Sequence, residues 1–457
     1  MIFFFVCRVF LENSQINWRD MKILIIGGGA AGIMAAATII ENAPETEVLV
    51  VDKNDEIGSK VIISGGGRCN LTTAENDIGI LMKAYPRGSR WLRFSMHEFS
   101  PEKVCEWFEG HGIPLKTEGA KVYPRSNKGT EVTGMFQKLF KANNVEVLLD
   151  TSVMAIEKGA DTTIGPSDSD RSMNEGSDGF GDGGGNGFEV SLSDGSVQHC
   201  DKVILTTGGQ AYRQTGSTGD GYAFAQSLGH NITPLAATLT SFSTAKDGLP
   251  NLAGVTHEKA KFRLVGKKEY EISGSFLFTH KGVTGPAIFA LSSLAAFEEC
   301  SKETPLKLFV DFVPDSDYQS LAGEISQRIK ENPNKTFLKT INEYLPKSIL
   351  AVIFLRLKMD GSKKALEVSK KDVNRCVEAL KNFEITLVER TPGAEIVTAG
   401  GIDLNEVDQK TMESKICPGL YFGGELLDVD GFTGGYNLQI AWATGRVAGL
   451  NALGANA

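Results

Sequence analysis

Ile23-Leu24-Ile25-Ile26-Gly27-Gly28-Gly29-Ala30-Ala31-Gly32 decides the fold of this chain. The apolar run has the length and type of a buried parallel strand. After the glycines, Ile33-Met34-Ala35-Ala36-Ala37-Thr38-Ile39-Ile40 reads as a helix of small and apolar residues packed tightly on a sheet. A second strand, Val48-Leu49-Val50-Val51, ends in Asp52. The unit is strand, turn, helix, strand, acid. Gly27 permits the tight turn, Gly29 lets the backbone approach a pyrophosphate, and Gly32 lets helix and strand pack closely. The helix start at Ala30 and Ala31 offers N–H groups and a positive dipole end to phosphates. Asp52 is placed to accept hydrogen bonds from a ribose 2′-OH. An acid there disfavours a 2′-phosphate, so the nucleotide is FAD or NAD rather than NADP.

A second glycine cluster separates those two. Gly58-Ser59-Lys60 leads through Val61-Ile62-Ile63 into Ser64-Gly65-Gly66-Gly67-Arg68-Cys69-Asn70. A plain NAD-binding fold does not need it. Its bare backbone N–H groups suit an anion or a flavin edge, and Ser64, Arg68 and Asn70 can all hydrogen-bond. Cys69 has no partner cysteine nearby in sequence and reads as a packing residue rather than a redox thiol.

At 457 residues the chain has room for two or three domains. No apolar run approaches the roughly 18 residues that span a membrane. The formal net charge of −9 argues against general nucleic-acid binding. Seven cysteines without a C-x-x-C pair argue against structural zinc and a redox dithiol. They fit a reducing, cytoplasmic setting. Residues 1–20 stand apart as a disordered or targeting extension, which leaves organelle import open.

Along the chain, Ile113–Pro124 alternates like a hairpin turning at Glu118-Gly119, and Lys128–Asn144 reads as a helix. Gly159–Gly187, rich in Gly, Asp and Ser, reads as a disordered insertion at a hairpin tip. The strand Val203-Ile204-Leu205 runs into Thr206-Thr207-Gly208-Gly209, a turn able to return to the nucleotide. No second strand–G-x-G-x-x-G–helix–acid unit follows, so a dedicated NAD(P)H domain is not visible. The expected organisation is a first FAD-binding segment over 21–231, an insert over 232–391 and a second FAD-binding segment over 392–457. Within the insert, 232–313 reads as β-rich and 314–391 as helical. The stretch from Arg356 to Arg375 is dense in Lys and Arg, and interspersed Glu367 and Asp372 favour a solvated helix face. His280 lies on a polar loop and is an acid/base candidate. Gly423-Gly424-Glu425 ends a strand, and Gly434-Gly435-Tyr436-Asn437 precedes the helix Leu438–Leu453. The positive N-terminus of that helix would stabilise charge near flavin N1 and the C2 carbonyl.

Gly27–Gly32, Ser64–Asn70, Thr398–Gly401 and Gly423–Asn437 together resemble the BaiN/aminoacetone-oxidase-like FAD flavoproteins, from Lys22 to Gly449. The resemblance implies an α/β fold: a Rossmann-like FAD-binding domain of glutathione/fumarate-reductase type, interrupted by an insert with a β-barrel-like part and a helical part. It implies FAD contacts at Ala31, Asp52, Lys60, Arg68 and Val153, and at Glu425, Asn437 and Leu438 toward the ribityl and flavin end. Asp52 stands where Glu is commoner in the family. With the motif readings, the cofactor-binding set is Gly27, Gly29, Ala30, Ala31, Gly32, Asp52, Lys53, Lys60, Ser64, Gly65, Gly66, Arg68, Asn70, Val153, Thr207, Gly208, Gly209, Gly424, Glu425, Gly435, Tyr436, Asn437 and Leu438.

The expected activity is that of an FAD-dependent oxidoreductase passing a hydride through flavin N5. Two chemistries compete: NAD(P)H-driven reduction of an activated C=C bond, and oxidation of a small amine by O2. A flavin-binding protein without turnover is a reading from another class, and a nucleic-acid-modifying flavoprotein, resting on the basic Arg356–Arg375 stretch, is a third. His280 and Tyr436 are the candidate proton donors, and Arg68 is placed near the flavin or pyrophosphate. The expected partner is a small-molecule substrate, with no nucleic acid, membrane or metal. The sequence gives neither substrate nor oligomeric state.

Overall fold

The computed structural model describes residues 21–159, 187–245 and 249–454. Residues 1–20 and the insertion over 160–186 lie outside the described residues. The chain divides into two compact units, one formed by residues up to Leu235 and from Thr398 on, the other by Ala236–Val397.

In the first unit, β1 (Lys22–Ile26), α1 (Ala30–Asn42) and β2 (Glu47–Val51) realise the opening stretch. They are followed by β3 (Glu146–Leu148), β4 (Lys202–Leu205), α2 (Asp220–Ser227), β5 (Leu420–Phe422) and α3 (Tyr436–Ala452). The five strands are all parallel, in the order β5-β4-β1-β2-β3. Both faces of the sheet are covered, so Ile23, Leu24 and Ile25 of the central strand are fully buried. The chain leaves β1 toward β2 on one side and returns to β4 on the other. Ligands bind such sheets at this reversal, outside the carboxyl ends of the strands. Gly27, Thr206–Gly209 and Gly423-Gly424 follow the carboxyl ends of β1, β4 and β5.

α3 lies close against α1. A Cβ at Gly445 would come within 2.2 Å of the Ala31 carbonyl oxygen, and one at Gly449 within 2.6 Å of that of Ala35. The hairpin Leu115–Glu118/Lys121–Pro124 turns at Gly119 (φ +62°), with Thr72–Thr73 alongside. A second small sheet joins Val153–Lys158, Phe188–Leu192 and Val197–Cys200. The Gly159 N–H donates to the Gly187 carbonyl (2.9 Å) at the base of the insertion.

The second unit contains a closed six-stranded barrel. Its neighbours run Phe242–Thr244, Gly282–Thr284, Glu269–Phe278, Thr256–Val265, Leu306–Asp311 and Phe383–Arg390. Period-two alternation points Phe262, Phe276, Phe278 and Leu308 inward. Phe276 meets Phe262 edge-on at 5.1 Å and Phe278 at 4.9 Å. The stretch 314–391 supplies the helices Tyr318–Glu331, Phe337–Ile341, Lys347–Leu357 and Lys370–Lys381. It ends in a strand, because Phe383, Ile385 and Leu387 are buried in alternation with Glu384 and Glu389. That strand closes the barrel.

Candidate functional site

Three glycines of the first turn have different reasons to be glycine. Gly27 has φ +102°, and a Cβ there would sit 2.7 Å from the Thr206 carbonyl oxygen. A Cβ at Gly32 would sit 2.0 Å from the Gly27 carbonyl oxygen. The fold itself requires both. Gly29 has an ordinary φ of −75°, and a Cβ there would meet nothing nearer than the Thr206 oxygen at 3.9 Å. The protein leaves that space open beside the start of α1, whose N-terminus at Ala30 and Ala31 carries no side-chain cap. Uncapped N–H groups facing open space suit an anion.

Asp52 directly follows β2 and is nearly buried. One carboxylate oxygen accepts from the Gly28 N–H (2.6 Å), the other from the Asn54 N–H and side-chain amide (2.8 Å each). Burial pushes its pKa up, and the Asn54 and Gly28 hydrogen bonds oppose that. Lys53 donates to Thr218 and Asp220 at the start of α2. These contacts tie the acid loop to the 215–220 turn.

Lys60, Gly208, Gly209 and Glu425 converge although the sequence scatters them. Lys60 Nζ lies 2.8 Å from Glu425 Oε2, and Glu425 Oε1 accepts from the Thr398 N–H at 2.8 Å. The pair is partly buried. A Cβ at Gly209 would strike Thr398 Oγ1 at 2.5 Å and Glu425 Oε1 at 2.8 Å. Gly424 (φ +73°) donates its N–H to Thr444 Oγ1 at 2.9 Å.

The cluster Gly65, Gly66 and Gly67 takes φ of +60°, +72° and +87°, and Cys69 follows at +59°. Cβ atoms at Gly66 and Gly67 would meet nothing within 4 Å. Ser64 Oγ donates to the Val61 carbonyl. Arg68 is turned to Glu118 (2.8 Å) and lies over the Tyr123 ring at 4.0 Å. Cys69 is fully buried, and burial pushes its thiol up to about 12. It is inert as a nucleophile at neutral pH.

The loop before α3 is clamped. Asp430 is fully buried and ion-paired to Arg87. Asn437 accepts from the Gly431 N–H (2.9 Å) and donates to the Gly431 carbonyl (2.8 Å). Its amide therefore holds the loop, and its contact with a ligand would fall to the backbone. A Cβ at Gly435 (φ +91°) would lie 2.4 Å from the Thr72 carbonyl group. Tyr436, half-buried, meets Tyr85 edge-on at 5.9 Å, and Leu438 follows on the first turn. Val153 opens a strand of the small sheet. His280 is exposed on a turn of the second unit.

The structure adds residues that the sequence did not mark. Tyr222, on α2, is buried with an unpartnered hydroxyl, and its pKa is raised first by burial and then by the charges of Glu425 and Asp428. Buried Thr207 Oγ1 and Asn70 Oδ1 likewise have no hydrogen-bond partner among the described residues. Unsatisfied buried polar atoms call for a missing partner. Thr207 and Asn70 lie in motifs that the sequence flags, whereas Tyr222 carries no sequence signal beyond its place on a helix. Open space at Gly29, an uncapped helix start and these unpaired atoms fit a bound FAD. Among the described residues no group of three His, Cys, Asp or Glu side chains is placed to hold a metal ion, and no helix is long and apolar enough to cross a membrane.

The family model described as HI0933-like protein Rossmann domain matches residues 21–177 and 178–451. The chain belongs to the HI0933-like family. It is an FAD-dependent oxidoreductase. This HI0933-like protein is 30% identical over 431 residues to the 3-dehydro-bile acid delta(4,6)-reductase of Clostridium scindens, covering 94% of this chain and 98% of the relative. It is 28% identical over 428 residues to the ribosomal RNA dihydrouridine synthase of Escherichia coli, covering 92% and 95%. The solved 3-ketosteroid delta1-dehydrogenase of Sterolibacterium denitrificans aligns over 95% of this chain and 99% of that one, at 12% identity and a TM-score of 0.48.

Proposed function

We propose that this protein reduces a C=C bond conjugated to a carbonyl, with NAD(P)H as electron donor. The observation that carries the reading is the near-full-length similarity to a 3-dehydro-bile acid delta(4,6)-reductase. That name describes double bonds conjugated to a 3-oxo group. The net reaction adds a hydride and a proton across the C=C and turns NAD(P)H into NAD(P)+. Bound FAD supplies the two-electron chemistry, exchanged through flavin N5. The chain's own part is placement and charge. The start of α1 and Gly29 would hold the pyrophosphate, Asp52 the ribose, and Lys60 and Glu425 the ribityl end. The positive end of α3 would favour negative charge on the flavin pyrimidine. Tyr436, at that helix end, donates the proton to the α-carbon. Arg68, ion-paired to Glu118, would border the flavin edge from the Ser64–Asn70 loop.

A second substrate reading has its own support. Dihydrouridine is uridine with its C5=C6 bond, conjugated to the C4 carbonyl, saturated. The similarity to a ribosomal RNA dihydrouridine synthase therefore suits the same chemistry on an RNA base. The test for both is a visible spectrum under anaerobic conditions. Bleaching of the ~450 nm band by NADH or NADPH supports the reductase. Bleaching by small amines alone overturns it and leaves the amine-oxidase reading.

A further inference from the structure

Charge is unevenly spread along this acidic chain. Residues 328–375 hold twelve Lys and Arg against five Asp and Glu, whereas the whole protein carries −9. The fold gathers part of that excess. The link between the helices Lys347–Leu357 and Lys370–Lys381 runs beside the start of the helix Phe337–Ile341. The Ala365 N–H donates to the Lys335 carbonyl (2.8 Å) and the Phe337 N–H to that of Lys363 (2.9 Å). Thr336 and Lys364 form a β-bridge. Lys335, Lys363 and Lys364 thus lie on adjacent backbones, and Lys370 and Lys371 open the next helix. All five are exposed. Asp360 and Asp372 lie near enough to Lys363 to feel its charge. The other four make no ion pair among the described residues.

Cations at a helix N-terminus oppose the dipole, yet Lys370 and Lys371 occupy the first two positions of their helix. An open groove of ≈ 590 Å³ lies there, lined by Leu357, Lys370, Lys371, Asn374, Arg375 and Glu378. Arg375 is held in place by Asp372 (3.1 Å) and by the Leu357 carbonyl. Leu357 supplies apolar surface and Asn374 an amide between the cations. In the same stretch Leu355 and Leu366 remain 72% and 57% exposed.

We propose that this basic groove is a docking surface for RNA. Its cations meet the phosphates, and Leu357 and Asn374 meet the nucleosides. Charge complementarity carries the proposal, and the choice of RNA among phosphate polymers rests on the RNA-base reading above. The expectation of no nucleic acid came from the summed charge of the chain, which hides this local excess.

The test uses the full-length, FAD-loaded, oxidised protein without donor, so docking is read apart from turnover. A fluorescein-labelled ribosomal RNA hairpin is titrated by anisotropy across a range of salt. The triple variant Lys364→Glu, Lys370→Glu, Lys371→Glu is compared with Lys138→Glu, an exposed site on the first unit. The triple variant is expected to bind at least ~10-fold more weakly at low salt. Its slope of log K against log salt should be smaller by about 2 to 3, since each lost phosphate contact removes ~0.7–0.9. Lys138→Glu should match wild type. Should the triple variant lose its flavin spectrum, the pair Lys370→Gln, Lys371→Gln should still lower the slope by about 1.4 to 1.8. Failure of wild type to bind the hairpin, or equal binding by wild type and variant, overturns the proposal. So does equally tight, groove-dependent binding of poly-glutamate, which would mark an acidic protein partner. Bleaching by NAD(P)H, recorded on the same preparations, shows separately whether the reductase reading stands.

Discussion

The two units of this chain differ in charge and in what specifies them. The nucleotide-binding unit holds 24 Lys and Arg against 36 Asp and Glu, while the inserted unit holds 23 against 20. In the first, backbone contacts decide: Gly27, Gly32, Gly435 and Gly445 have no room for a Cβ. The second is built around side chains, with Phe262, Phe276 and Phe278 interlocked inside a closed barrel, although Gly282 there also has no room for a Cβ, which would lie 2.0 Å from the Phe242 carbonyl oxygen. A summed charge therefore describes neither unit.

The sharpest break of that comparison is Gly32→Ala. A methyl group 2.0 Å from the Gly27 oxygen cannot be accommodated without moving β1 or α1, so soluble flavin-loaded protein should be lost, as read by yield and visible spectrum. Phe276→Ala in the barrel should cost ~3–5 kcal/mol, measured by denaturant unfolding. Gly29→Ala sharpens the contrast, because its space is open. The melting temperature of the flavin-free protein should hold, while FAD affinity falls by about 10-fold, ~1.4 kcal/mol. Glu425→Gln removes the charge facing Lys60. FAD titration should show a loss of about 1–2 kcal/mol, with little change in unfolding.

The smallest effect concerns pH. His230 is buried, with Nδ1 3.2 Å from Glu406 Oε2 and Nε2 2.8 Å from Ser414 Oγ. Burial lowers its pKa, against the opposing pull of Glu406. The unfolded chain then binds this proton at higher pH than the folded one. Stability should fall as pH drops below about 6.5, down through the lowered folded pKa. The slope from one such group is at most about 1.4 kcal/mol per pH unit. Unfolding of His230→Gln across the same pH range should lack that component.

Much of the first unit was legible because its signals are local. The run Ile23–Gly32, the acid at 52 and the glycines at 65–67 announce strand and turn within a few residues. The family motifs carried Glu425 and Lys60 to one cofactor, although 365 positions separate them. The strand Phe383–Arg390 was also written locally, in its buried alternation, but it follows a helical run that masks it. Asn437 read as a ligand contact, whereas its amide is spent on Gly431. Tyr222 and the His230–Glu406–Ser414 cluster were not legible. His230 meets Ser414, 184 residues on, and Tyr222 lies near the charges of Glu425 and Asp428, neighbours that only the closed fold brings together.

The most direct test of the central claim is a sequential anaerobic mixing experiment. The FAD-loaded protein is first bleached with NADPH or NADH, then mixed with a 3-oxo-Δ4,6 steroid or with unmodified ribosomal RNA. The account expects the oxidised flavin bands to return with one of these acceptors, in step with loss of its conjugated C=C. Bands that stay bleached with both acceptors and return only on admitting O2 would contradict it.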